Sequence, residues 1–323
     1  MIYSKELMVK VSKLYYQENN TQQEVAAAVG LSRQTVGRIL ETARREGIVQ
    51  VRILDESQQR YQKMEEKICD FFALQNVVVE PVYDYRAESI RRSLGVRASR
   101  YLFEILSEDQ TLAVSWGRTM LEVVKAMKNS DRKVDIVQLN GSLGTIYSEI
   151  NSNELARLLS DKFDGSYYYL PAPGVVDTVK IRDLLLKERT IRVPLERARK
   201  ADLAAIGVGA LDDSLLSSLG FFHDSEKAEM KKKGIVGDIC LHMLDQEGRV
   251  VNTRWEDRII GVSMEDLQEL DSVIAIAGGT EKVEAIIASL KSGVVNVLVT
   301  DSNTAELICE FIENRATGSC GKE

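Results

Sequence analysis

The sequence predicts an α/β protein in two parts: a small N-terminal winged helix-turn-helix and a large α/β domain with a mostly parallel sheet. Three observations predict it. Residues 5–46 show helical periodicity interrupted twice by turn chemistry. From residue 76 onward, short β-branched apolar runs alternate with helical stretches, as in strands covered on both faces by helices. The length, 323 residues, exceeds what one hydrophobic core usually serves.

The N-terminal elements follow in order. Leu7, Val9, Val11, Leu14 and Tyr15 recur at roughly helical spacing until Asn19-Asn20 breaks the pattern. Thr21-Gln22-Gln23-Glu24 has the form of a capping box, so a second helix starts there. Val25, Ala26 and Val29 form its inner face, and Gly30 supplies a positive-φ exit. Ser32 suits the N-cap of a third helix with an apolar stripe of Val36, Ile39, Leu40 and Ala43. Gly47 ends that helix, and Ile48–Ile53 alternates like a strand of a wing. The DNA-binding domain is thus expected over residues 1–54.

Ser57–Leu74 reads as an amphipathic helix, either a linker or oligomerisation element over 55–75 or a helix packed on the chain's own core. The large domain is expected over 76–315, with 316–323 a frayed tail. Its strands are expected at Asn76–Val82, Thr111–Trp116, Val134–Leu139, Tyr167–Leu170, Leu203–Val208, Ile235–Met243, Val273–Ala277 and Val295–Thr300.

Composition narrows the classes. Hydrophobic residues at 44% and charged residues at 28% are ordinary globular values and argue against a disordered chain. The start, MIYSKELMVK, has no signal-peptide run, and no segment approaches the ~20 apolar residues that span a bilayer. A soluble cytoplasmic protein without a membrane partner is expected. Cys69, Cys240, Cys309 and Cys320 show no paired spacing, and His223 and His242 complete no ligand pattern with them, so no metal, disulfide or cofactor is expected.

The net charge of −7 is unevenly spread. Residues 1–53 hold eight Lys or Arg against five Glu, a balance of +3 that leaves −10 on the rest. That suits a DNA contact confined to one end.

In a helix-turn-helix the second of the paired helices enters the major groove with its N-terminal residues at the base edges. Here that end carries Ser32, Arg33, Gln34, Thr35 and Arg38, with Thr21 and Gln22 at the start of the preceding helix placed in the same interface. Arginine can pair bidentately with guanine and glutamine with adenine, while hydroxyls reach bases or phosphates. Solvated surface charge is the plainer reading of Arg33 or Arg38 taken singly.

Three expected strand ends carry glycine and small polar groups, where α/β sheets place ligands. Ser115-Trp116-Gly117-Arg118-Thr119 joins a strand directly to a helix, and free amides at that helix start favour an anion such as phosphate. Asn140-Gly141 and Gly278-Gly279 through Lys282 follow two other strands. Asp238 beside Gly237 can contact sugar hydroxyls or serve as a turn acceptor, and Asp257 lies between Arg254 and Arg258. Each loop alone could be a plain turn; together they suggest a pocket for a phosphorylated sugar.

The order Gln22-x-x-Val25-Ala26-x-x-x-Gly30-Leu31-Ser32-x-x-Thr35-Val36-x-Arg38 resembles bacterial regulators. With Leu14-Tyr15-Tyr16, Val114–Thr119, Gln138–Gly141, Gly237–Cys240, Asp257–Gly261 and Ala277–Lys282, the sequence resembles the SorC/DeoR-type sugar-binding transcriptional regulators. The resemblance implies an effector domain related to glucosamine-6-phosphate deaminase and ribose-5-phosphate isomerase, a phosphorylated-sugar effector, operator DNA and a homo-oligomer, dimer or tetramer. On that analogy Gly117, Arg118, Thr119 and Lys282 hold the phosphate, with Asn140, Gly141, Asp238 and Asp257 nearer the sugar. The deoxyribonucleoside-operon branch, which the sequence also resembles, looks to form an imine through a lysine where Asn140 stands here. The resemblance therefore favours a non-covalent ligand and demotes deoxyribose 5-phosphate.

The expected function is a DNA-binding regulator, in the sense of a repressor, of a carbohydrate-utilisation operon. Two other classes stay open: a sugar-phosphate isomerase or deaminase, which would need a positioned base, and a DNA-binding protein with no effector.

Overall fold

Ser4 caps helix α1 (Lys5–Tyr16), its hydroxyl accepting from the Leu7 amide. The expected capping box opens α2 (Gln22–Val29): the Glu24 amide donates to Thr21 Oγ1 at 3.3 Å, and the Thr21 amide donates to the Glu24 carboxylate at 2.7 Å. Gly30 leaves α2 at φ 68°, which a side chain would resist. Helix α3 (Arg33–Arg45) then starts from Ser32, whose hydroxyl accepts from the Thr35 amide at 3.1 Å. Met8, Val11, Val25, Val36, Ile39 and Ala43 close the small core between the three helices.

The computed structural model describes residues 3–49, 58–144, 148–212, 215–222 and 224–318. Its contacts divide the chain into two units, Met1–Ser57 and Gln58–Glu323. The expected wing strand does not begin at Ile48. The amides of Ile48 and Val49 both turn back to the Ala43 carbonyl, at 2.9 and 3.1 Å, so the chain there folds onto the helix end instead of extending. The rest of that expected strand, residues 50–53, lies outside the described residues, as do His223 and Cys320.

The second unit runs α4 (Gln58–Phe72), β1 (Asn76–Glu80), α5 (Ala87–Ile105), β2 (Thr111–Val114), α6 (Arg118–Ala126), β3 (Asp135–Gln138), α7 (Ser152–Ser160) and β4 (Tyr167–Tyr168). It continues through α8 (Val179–Leu185), α9 (Arg189–Ala198), β5 (Leu203–Gly207), β6 (Gly209–Ala210), α10 (Leu215–Ser218), α11 (Asp224–Lys232), β7 (Ile235–Ile239) and β8 (His242–Asp245). It ends with α12 (Met264–Gln268), β9 (Ser272–Ile276), α13 (Val283–Lys291), β10 (Val297–Asp301) and α14 (Ser302–Gly318).

Among the described residues the main sheet has the order β1-β10-β9-β5-β2-β3-β4, and every neighbouring pair is parallel. Because side chains alternate across a strand, its β-branched runs serve two cores. Val77, Val79, Ile206 and Leu298 face the layer that holds α4, α13 and α14. Val78, Leu112, Ile136 and Val299 face α5, α6 and α7.

Helix α4 buries Ile68 against this core, sets Phe71 edge-on to Phe311 of α14, and pairs Arg60 with Glu306 and Lys67 with Glu313. Its apolar stripe therefore has a partner within the chain.

The run Ile235–Met243, expected as one strand, is two. Chain reversal at Cys240-Leu241, both at positive φ (49° and 78°), folds β7 back on β8 with Ile239 opposite His242. These strands and the short β6 form a separate antiparallel sheet, β6-β7-β8. Leu216, Phe222, Met230, Leu241, Met243 and Trp255 pack beside it, with Trp116 at the edge. No helix among the described residues is long and apolar enough to cross a membrane.

Candidate functional site

Strand β2 leads toward β3 and β4 on one side, while β5, its other neighbour, leads toward β9 and β10 on the opposite side. Loops from two such strands part company at their carboxyl ends and leave a crevice, the usual ligand position of open α/β sheets. A cleft of roughly 640 Å³, open to solvent, occupies that place. Its walls are the loop Ser115–Thr119, the segment Gly207–Gly209, Asp238 and Cys240 of the small sheet, Lys282, Arg91 of α5, and Leu215 and Leu216 of α10.

The Ser115 hydroxyl accepts from the Gly207 amide at 3.1 Å, so the two diverging loops are tied at their root. Gly117 stands at φ 120°, a conformation that favours glycine, and directs the chain into α6. Its own amide donates to the Ile150 carbonyl. The first turn of α6 has no side-chain cap, which leaves the amides after Gly117 and the positive end of the helix facing the cleft. Thr119 is buried, and its hydroxyl has no hydrogen-bond partner among the described residues. Arg118 is exposed and makes no ion pair among them. Lys282 enters from the turn after β9, its Nζ donating to the Val208 carbonyl at 3.0 Å.

Asp238 forms the opposite wall. It pairs across the small sheet with Gly209, where a Cβ would stand 2.1 Å from Oδ1 of Asp238. Only a glycine leaves room for that carboxylate. Burial pushes the Asp238 carboxyl up to about 6, against the pull of the Leu241 amide and the positive charge of Lys282. Burial also pushes up the Cys240 thiol, with the Asp238 charge adding to it. The Trp255 indole donates to the Leu241 carbonyl at 2.8 Å and pins the strained reversal that carries Cys240.

The sequence-predicted residues divide into two groups. Ser115, Trp116, Gly117, Arg118, Thr119, Asp238 and Lys282 converge on the cleft. Asn140, Gly141, Gly278, Gly279 and Asp257 do not line it. Asn140 is buried, bridges to Gly261 and donates from Nδ2 to the Gly141 carbonyl, while its Oδ1 has no partner. Gly141 is needed because the chain passes against Ala172 and Pro173, whose backbone a Cβ would meet at 2.5 Å. The Gly279 amide donates to Asp301 Oδ2 and Thr304 Oγ1, both at 2.9 Å, which anchors that loop to the start of α14. Asp257 is exposed in a short 3-10 turn.

Sequence reasoning missed Arg91, Leu215, Leu216 and Cys240 as lining residues. Gly207 and Gly209 stand where one strand ends and the next begins; Arg91 gave no signal, since it sits in an ordinary helical stretch 24 residues before Ser115.

In the N-terminal unit, Ser32, Arg33, Gln34 and Arg38 are exposed along the first turns of α3, with Thr35 half-buried. Neither Arg33 nor Arg38 makes an ion pair among the described residues, so both guanidinium groups face solvent unspent. Thr21 is exposed and Gln22 half-buried at the start of α2.

A family model described as "Putative sugar-binding domain" matches residues 56–310. The deoxyribonucleoside regulator of Bacillus subtilis (strain 168) is 34% identical over 310 residues, covering 94% of this chain and 97% of that protein. The transcriptional regulator LsrR of Enterobacter sp. (strain 638) is 30% identical over 312 residues, covering 94% of this chain and 92% of its own. The full-length sorbitol operon regulator SorC from Klebsiella pneumoniae matches in structure with a TM-score of 0.77 over 95% of this chain and 99% of its own, at 24% identity. At that identity the likeness is one of fold.

Proposed function

Because the chain belongs to the sugar-binding-domain family of SorC/DeoR-type transcriptional regulators, we propose that it controls a carbohydrate-utilisation operon as a repressor whose operator affinity changes when a phosphorylated sugar occupies the cleft. The observation that carries this reading is the convergence of the uncapped start of α6, Arg118, the unpartnered Thr119 hydroxyl and Lys282 on one crevice. Those groups supply donors and positive charge for a phosphate, and Asp238 supplies an acceptor for a sugar hydroxyl.

The ligand is held without a covalent bond. Asn140 bears an amide, which does not form an imine. The reading is of a regulator and not an enzyme, as its relatives are named, and the buried His242 has both ring nitrogens committed within the protein and does not line the cleft. The partner of α3 is operator DNA, read by Arg33, Gln34 and Arg38 with Ser32, Thr35, Thr21 and Gln22 at the backbone or base edges. The protein acts as a homo-oligomer in the cytoplasm, since two modestly basic reading heads on a palindromic site gain by linkage what one lacks.

The test is a thermal-shift panel of sugar phosphates, deoxyribose 5-phosphate among them, followed by operator binding with each hit. A phosphorylated sugar that raises the unfolding midpoint and changes operator affinity is the expected result. A panel that shifts neither quantity leaves a DNA-binding protein without an effector.

A further inference from the structure

We propose that Arg91 is a ligand-binding residue, so that the anionic group in the cleft is clamped between α5 and the start of α6. This rests on the cleft being the effector site.

Arg91 lies in the second turn of α5 and lines the cleft. Of the other arginines of α5, Arg92 pairs with Glu88 at 3.4 Å and Arg97 with Glu80 at 4.0 Å, while Arg100 is exposed to solvent. Arg91 has no ion pair or hydrogen bond among the described residues, although it is half-buried. A guanidinium left unpaired in a crevice is held ready for an anion that the crevice receives.

The packing of α5 explains why it points there. Four residues on, and so on the same face, Gly95 touches α6 so closely that a Cβ would stand 2.5 Å from Glu122 Cβ and 2.6 Å from the Glu122 carbonyl carbon. The two helices are pressed together at that crossing. Ile90 and Leu94 are buried in the core that α5 shares with α6 and fix the rotation of α5 about its axis. Arg91 is thereby held at the mouth of the cleft by backbone contact rather than by a flexible loop.

The charge count agrees. Arg91, Arg118 and Lys282 surround a single lining carboxylate, Asp238, and burial disfavours the charge on that one. The cleft therefore selects for negative charge, and the planar fork of Arg91 matches the tetrahedral oxygens of a phosphate ester.

The experiment uses the full-length protein and the fluorescence of Trp116, which lines the cleft. Ribose 5-phosphate, glucose 6-phosphate and fructose 1,6-bisphosphate are titrated, with inorganic phosphate and the parent sugars alongside, into wild type, Arg91→Ala, Arg91→Lys and Thr119→Ala. Arg91→Ala is expected to weaken the binding phosphorylated sugar by roughly 10- to 100-fold, the usual worth of one charge-assisted contact. Arg91→Lys should recover part of that loss, and the unliganded melting of each variant shows that it is folded. If Arg91→Ala binds like wild type while Thr119→Ala does not, Arg91 is a solvated surface charge and the effector site stands. If no phosphorylated sugar binds wild type, the reading of the cleft falls and the role of Arg91 with it.

Discussion

His242 and Glu256 are bound to each other inside the protein: Nδ1 of the imidazole meets the Glu256 carboxylate, while Nε2 donates to the Val262 carbonyl at 2.8 Å. Both partners are acceptors, so the ring satisfies them only with a proton on each nitrogen. Burial opposes that charge, yet the Glu256 carboxylate and the Val262 carbonyl outweigh it and raise the imidazole above its ordinary value. The pair ties β8 to the turn at 256–258.

A histidine raised in the folded state gives stability that is full below its ordinary value near 6.5 and is lost as pH rises through the folded value. Unfolding midpoints measured from pH 6 to 9 should therefore fall with pH. In Glu256→Gln the carboxylate is gone, burial is left to oppose the charge, and the fall should shrink or vanish over the same range. Parallel curves for the two proteins would show that His242 is neutral in the native state.

Asp238 works in an adjacent window with the same sign. Its carboxyl is raised from 3.8 to about 6, so ionisation costs the folded protein increasingly as pH climbs between those values. Asp238→Asn should be more stable than wild type at pH 7, by up to about 3 kcal/mol, and show little gain at pH 4. The same variant should bind a phosphorylated sugar less well if the carboxylate accepts from its hydroxyls. Denaturant melts at the two pH values check the first point, and an equal gain at both would place the cost elsewhere.

Arg33→Ala should lose ~1–3 kcal/mol of operator affinity and relax base discrimination at one position. Titration of the variant against the operator and single-base substitutions measures both. Affinity and preference equal to wild type would remove Arg33 from the reading surface.

Thr119→Ala removes the one hydroxyl in the first turn of α6 and should weaken a bound phosphate by about 0.5–1.5 kcal/mol, or more if the contact is charge-assisted. The check is the ligand concentration needed for half-maximal thermal shift. No change would mean that backbone amides and Arg118 suffice.

Thr21→Ala breaks the capping box and should cost the N-terminal unit ~1 kcal/mol. Hydrogen exchange of amides in α2 reports this directly. Protection equal to wild type would show that tertiary packing alone holds the helix start.

What could be read in advance was local. Thr21, Glu24, Gly30 and Ser32 act through neighbours three or four residues away, so sequence displays them and the helices follow. The parallel strands were legible because burial on both faces demands unbroken β-branched runs such as Val77-Val78-Val79. The hairpin at Cys240-Leu241 was not, because its two positive-φ positions hold residues that normally avoid them. Trp255 holds that turn from outside, fourteen residues beyond Leu241. Arg91 escaped for the same kind of reason: its place depends on Gly95 meeting Glu122, a contact between two helices. Asn140 and Gly278 looked like ligand loops because close backbone packing and ligand approach both call for small residues.

The pairing of β1 with β10 has a consequence for synthesis. Asn76 lies beside Val297, and α4 packs on α14, so the first and last segments of the large unit complete each other. A chain leaving the ribosome from its N-terminus must carry β1 without its sheet neighbour until more than two hundred further residues have emerged. The first three helices, whose contacts are all near in sequence, have no such wait. The DNA-reading head is therefore assembled while its sensor is still nascent, and a truncated product would carry the head without control.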